Sequence, residues 1–387
     1  MSKWALLAVI GLVLIAVWSL AGRRLSPDTI AALERAQNFR DAEAGSGLQE
    51  LIKLNELGES RKIRSHEIME ICNPFSLECL EYIKESQLEE LVSPAEDLKF
   101  AKQFEALPQV SMPIERVLDD SIDLLKLTTA SRDIYLTQLI TQGQINASTV
   151  ATSLKRNRTN LTQADTLIEK LMFLAALSTD LTAANLSLQR GREGWAVLSE
   201  HLEALSETER SYQRTFDGET LFGKWWNEQE DSEPVSRPNH LLNLANNRYQ
   251  SYAAASEASW EEFWSREHPI DDPSFLDAFI EPGIYEYLGD ESAPNYLEYL
   301  TNVRFTDALI HLIRTIHLEN FQEPYQQPAA NPLPLWSWAW HDDSTFCLEP
   351  TNIHPAMQDY AETICASWFG ADQFNINQSD NPNRVSQ

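Results

Sequence analysis

Arg304, Asp307, His311 and Arg314 follow one another at steps of three, four and three residues. On a helix those steps stack side chains along one face. Two chemistries fit the pattern. Asp307 could orient His311 as a general base while Arg304 and Arg314 hold an anion, or the four could form a structural polar stripe that pairs with a neighbouring helix. No nucleophile accompanies them. The chain has no G-x-S-x-G, no phosphate loop, no dinucleotide fingerprint and no C-x-x-C, so no cofactor is expected and the balance leans away from an enzyme.

A second set is Trp336, Trp338 and Trp340, alternating with Ser337 and Ala339. The period of two is that of a strand with one covered face. Three aligned indoles could stack on the sugar rings of a glycan or peptidoglycan, or pack a small sheet onto helices. His66 opens H-E-I-M-E, but Glu70 stands where the zinc-protease pattern has its second histidine, and no metal site is expected. The four cysteines fall into two local pairs, Cys72 with Cys79 and Cys347 with Cys365. Such spacing suits two disulfides in an oxidising compartment, though four cysteines allow three connectivities and could also be separate buried thiols. Five N-x-[ST] triplets begin at Asn146, Asn157, Asn160, Asn185 and Asn377 and matter only on a eukaryotic secretory route.

The elements that must carry these residues are mainly helical. A helix starting at Ser26, with Pro27 in its first turn and a thin stripe of Ile30, Leu33 and Phe39, reads as a stalk over 25–46. Residues 47–215 read as an N-terminal helical half. In it a long helix from Met112 ends at Gly143, a shorter one starts at Asn146, and a third runs from Asn160 to Gln189. Gly143 and Ala147 resemble one tetratricopeptide hairpin turn, without any 34-residue repeat. Residues 216–238, with Trp225, Trp226 and a polar run after them, read as a loop. Residues 239–370 read as a C-terminal helical half, with helices Asn239–Glu267 and Pro294–Glu319 and then a β-hairpin of Trp336–Trp340 with Ser344–Leu348. Residues 371–387 read as a disordered tail. The expected fold is therefore mainly α: an N-terminal transmembrane helix, helical hairpins in a bundle, and a small β-hairpin near the C-terminus.

The anchor, residues 1–24, rests on Trp4–Ala21, 18 residues without a charge between Lys3 and Arg23. As a helix this stretch is roughly 27 Å long, just enough to cross a hydrocarbon core of about 30 Å. Ser19 and Ala21 also satisfy a signal-peptidase site, so a cleaved signal stands as the alternative to an uncleaved anchor. Arg23, Arg24, Arg35 and Arg40 by themselves favour a cytoplasmic body; the cysteine pairs favour the other side. Beyond residue 24 the chain holds 27 basic against 58 acidic residues, which excludes nucleic acid as a partner. The acid concentrates between Glu193 and Glu291, with 22 acidic and 6 basic residues, and no calcium-loop pattern accompanies it.

Four segments taken in order carry a resemblance: the C-x6-C clip at Cys72 and Cys79, the run from Gln163 to Leu177, the helix bearing Arg304, Asp307 and Arg314, and the N-P…W segment at Asn331, Pro332 and Trp340. Together they resemble a family of single-pass, mainly helical envelope proteins of Gram-negative bacteria to which no activity is assigned. WSWAWHDDS departs from it, lacking a glycine-bearing turn. The resemblance implies a single-pass inner-membrane protein with a periplasmic body and another envelope protein as partner, and no mechanism. The expectation is a non-enzymatic interaction or scaffolding module, with an envelope hydrolase or a glycan-binding protein as alternatives.

Overall fold

The computed structural model describes residues 24–43, 125–189, 194–229, 237–268, 296–318, 331–342 and 344–368, with isolated positions elsewhere. These form eight α-helices of six or more residues and one three-stranded antiparallel sheet, order β1-β2-β3. The helices are α1 (Pro27–Glu43), α2 (Leu125–Gln142), α3 (Ala147–Gln163), α4 (Leu167–Gln189), α5 (Gln213–Asn227), α6 (Pro238–Glu257), α7 (Trp260–Ser265) and α8 (Tyr296–Leu318). The strands are β1 (Trp336–Asp342), β2 (Thr345–Pro350) and β3 (Ile364–Ser367). The mainly helical class and the C-terminal hairpin stand as expected; β3 adds a strand whose four residues are too few for the alternation to announce.

Gly143 ends α2 with φ 70°, a conformation glycine adopts without a Cβ penalty. The third helix starts later than expected. Residues 160–163 belong to α3, and the chain turns at Ala164–Thr166 before α4. Thr166 and Glu169 cause the break by a reciprocal capping box: Glu169 N donates to Thr166 Oγ1 at 3.3 Å and Thr166 N donates to Glu169 Oε2 at 3.0 Å. Helix Asn239–Glu267 is likewise two helices, because Ser259 caps α7 by accepting from Glu262 N.

The segment expected as a loop, 216–238, is helical to Asn227; residues 230–236 lie outside the described residues. Its buried face is Thr215, Phe216, Asp217, Gly218 and Thr220, so a polar and small composition hid the helix. Gly218 is there because α5 crosses the α3–α4 turn: a Cβ on it would lie 1.6 Å from Asp165 O. The expected stalk is a packed element. α1 lies against α5 and α6, burying Thr29, Ala32 and Ala36 and leaving Ile30 exposed. Arg35 binds Asp217 through two parallel hydrogen bonds of 2.7 Å.

One apolar cluster runs through both expected halves, joining Leu154, Phe173 and Leu177 to Phe216, Tyr252, Ile310 and Ile313. Asp180, in the middle of α4, accepts from Tyr135 Oη at 2.8 Å and Asn157 Nδ2 at 2.7 Å, fixing α2 and α3 to α4. Among the described residues α4 is the one helix long and apolar enough to cross a membrane. Its buried Glu169, Lys170 and Asp180 make it the central helix of the body instead. The expected span 4–21 lies outside the described residues except Ile10, Gly11 and Val13, which are helical, with Ile10 and Val13 exposed. Residues 371–387 and His66 also lie outside them.

Candidate functional site

α8 brings Arg304, Asp307, His311 and Arg314 onto one face, and that face is turned to backbone. Arg304 is buried; its Nη2 donates to Ser256 O at 2.9 Å and to Ala258 O, closing the C-terminus of α6, and its guanidinium lies 5.0 Å from the Phe263 ring. Burial lowers its pKa to about 10, with Arg210 lowering it further and Asp307 opposing. Asp307, also buried, accepts Leu205 N on Oδ1 and Trp260 Nε1 on Oδ2, each at 2.8 Å. Arg314 Nη1 donates to Leu202 O at 3.1 Å. The stripe therefore holds two connections, 198–206 and 256–260, in place. His311 is half-buried and its pKa is lowered, first by burial, with Asp307 raising and Arg314 lowering it. Both Asp307 oxygens point at other donors, so the carboxylate does not orient the imidazole as a base needs.

Two more cations, Lys170 buried and Arg158 half-buried, do the same work. Lys170 gives its three donors to Leu161 O, Glu209 O and Ser211 O at 2.9 to 3.0 Å, the carbonyl ends of α3 and of the turn Glu207–Arg210. Burial brings its pKa down to about 7, against the pull of Glu209. Arg158 pairs with Glu209 and donates to His201 O and Glu203 O at 2.9 and 2.8 Å. Burial disfavours the Glu209 anion, but Arg158 and Ser206 outweigh it and leave its pKa below the usual carboxylate range.

The tryptophan stripe forms the inner face of the sheet. Trp336 is buried, with ring centroids 5.0 Å from Trp260 and 4.7 Å from Trp264. Trp338 stacks on Phe346 at 5.3 Å, and Trp340 lies 4.8 Å from Phe346; both are half-buried. With Trp336 buried against Trp260 and Trp264, the three indoles do not form one open platform.

Cys347 and Cys365 face each other across β2 and β3 and form a disulfide. Cys79 is also disulfide-bonded; Cys72, its expected partner, lies outside the described residues. His341 comes within 4.8 Å of both Cys347 and Cys365, but the bridge leaves no thiolate for a metal, and His341 bonds Glu349 at 2.8 Å. Three of the glycosylation triplets are closed: Asn157, Asn160 and Asn185 are buried. Asn146 is exposed and caps α3.

A site the sequence reading missed lies between α4, α8 and β3. It is a groove of about 480 Å³, with Leu171, Leu174, Ala175, Ser178, Thr182 and Asn185 on one wall. Asn302, Phe305, Thr306, Leu309 and Ile313 form the other, and Thr363–Ser367 form the floor. No lining side chain is ionisable, Cys365 being bridged. At one end Ser367 O receives Asn185 Nδ2 at 2.7 Å and Gln189 Nε2 at 2.8 Å. Asn185 Oδ1 in turn faces His317 Nε2 at 2.9 Å, so the imidazole carries its proton on Nε2. The signal was present as Ala175, Ser178, Thr182 and Asn185, a small and polar line along an otherwise apolar helix.

No family model, curated protein or solved structure matches the chain.

Proposed function

We propose that this chain is a binding protein of the bacterial envelope, held in the inner membrane by residues 4–21 with its body in the periplasm. It takes an uncharged, extended peptide segment of another envelope protein in the groove between α4, α8 and β3. The groove's lining carries the reading: apolar walls give affinity, hydroxyls and carboxamides give orientation, and no lining side chain could serve as the general acid or base that would activate those hydroxyls. β3 stands at the edge of its sheet, where an extended chain finds a matching neighbour. The charged candidates on α8 are spent on backbone groups, which removes support for the hydrolase alternative. The disulfides support an oxidising compartment, and the resemblance of the four sequence segments supports the inner membrane.

Ala175 is exposed at the groove wall, so Ala175→Trp fills the groove without disturbing the core. Quantitative comparison of proteins co-purifying from detergent-solubilised membranes tests the reading. The expected result is loss of one specific partner with Ala175→Trp at unchanged thermal stability. An identical set of partners for both chains contradicts it.

A further inference from the structure

Resting on the reading of residues 4–21 as a membrane anchor, we infer that the body is seated directly on the bilayer. Its point of contact is the aromatic edge Phe222–Trp225–Trp226 at the C-terminal end of α5, which lies in the membrane–water interface beside the entry of the anchor.

The chain is held close to that entry. The Asn243 carboxamide on α6 accepts Ser26 N at 2.8 Å and donates to Arg24 O at 3.1 Å. Only three residue steps separate Arg24 from Ala21, a reach of roughly 10 Å at full extension. α1 beyond this point is packed, with Arg35 bound to Asp217, so it cannot serve as a spacer between body and membrane.

Two independent alignments place the end of α5 at the same level. α5 and α6 run antiparallel, with Ser211 bonded to Glu257, Gln213 to Gln250 and Thr220 to Asn246. One more turn along each brings residues 222–226 level with Asn243. α1 and α5 also run antiparallel, with Phe39 against Arg214 and Arg35 against Asp217, which sets the start of α1 beside the end of α5. At that end Phe222, Trp225 and Trp226 form a ring cluster with centroids 5.8 to 6.3 Å apart. Trp226 is 42% exposed, and Ile30 in the first turn of α1 is 43% exposed.

A surface cluster of indoles has an apolar body and a polar N–H, the combination that settles at headgroup level. Charge supplies no attraction, since Asp28 and Glu228 share this end with Arg24, Lys224 and Arg237, and Glu230, Asp231 and Glu233 follow α5 in the chain. The tether makes the contact intramolecular, so a modest interfacial preference is sufficient.

The test uses the full chain reconstituted in phosphatidylcholine vesicles, with an environment-sensitive fluorophore on single introduced cysteines and nitroxide-bearing lipid as quencher. Positions are Val13→Cys in the anchor, Glu228→Cys beside the rings, and Thr208→Cys near the far end of α6, roughly 20 Å from Asn243. Quenching at Val13 and at Glu228, with at least a twofold excess at Glu228 over Thr208, is expected. Adding Trp225→Ser and Trp226→Ser should remove that excess and leave Val13 quenched. If Val13 is not quenched, the anchor reading fails and the seating with it. If Val13 is quenched and Glu228 matches Thr208, the seating alone is wrong. Glu228 quenching that survives loss of both rings overturns the assignment to the aromatic edge.

Discussion

Trp260 donates its indole N–H to Asp307 Oδ2 at 2.8 Å, and this bond ties the start of α7 to the middle of α8. The other oxygen holds Leu205 N, so one buried carboxylate fixes two connections to α8. Asp307→Ala leaves both donors without an acceptor and should cost about 2 to 4 kcal/mol of stability. Urea unfolding checks this. A variant as stable as the parent would show that the carboxylate is free for other work.

Arg158 and Glu209 form an ion pair largely shielded from water, because Glu209 is buried and its partner is nearly so. Arg158→Ala should destabilise by about 3 kcal/mol, since the carboxylate then stays buried and uncompensated. Arg158→Ala/Glu209→Gln should recover part of the loss, and a double-mutant cycle measures how much.

Gly218 meets the Asp165 carbonyl with no room for a methyl group. Gly218→Ala should cost about 3 kcal/mol or prevent folding, because both partners are backbone and neither can rotate away. Thermal melting of the purified chain, or its absence from the soluble fraction after expression, reads this directly.

Burial lowers the His317 pKa from 6.5 to about 4. The unfolded chain therefore binds a proton between pH 6.5 and 4 that the folded chain refuses, so this contribution is complete above pH 6.5 and is lost as pH falls towards 4. At pH 5 the loss is about 2 kcal/mol. His317→Gln keeps a donor for Asn185 and should flatten the unfolding free energy between pH 7 and 5 by about that amount; an unchanged slope would place the titration elsewhere.

How far the sequence carried the structure depended on what each element buries. α8 and the tryptophan hairpin bury large apolar side chains at regular spacing, so their periods were legible. α1 and α5 bury Thr29, Ala32, Ala36, Asp217, Gly218 and Thr220, and such faces leave no hydrophobic period. For that reason the sequence of α1 resembles a free stalk and that of α5 a loop. The α3–α4 break was written as T-x-x-E at Thr166 and Glu169, a cap signal masked by the apolar runs on both sides. At the candidate site the four residues of the α8 stripe were correctly placed on one face, but spacing within a helix says nothing about which acceptors the neighbouring chain offers. The groove escaped because it is made by three elements distant in sequence and contains no reactive residue type.

The central claim is that the groove between α4, α8 and β3 receives a peptide segment of another protein. Asn302 stands exposed at its mouth, and a photo-crosslinking benzophenone side chain at that position in native membranes tests the claim most directly. The account predicts an adduct to one protein, mapped by mass spectrometry to a short segment without charged residues, abolished by Ala175→Trp and absent when the benzophenone stands at Thr208. No adduct at Asn302, or one that survives Ala175→Trp, would contradict it.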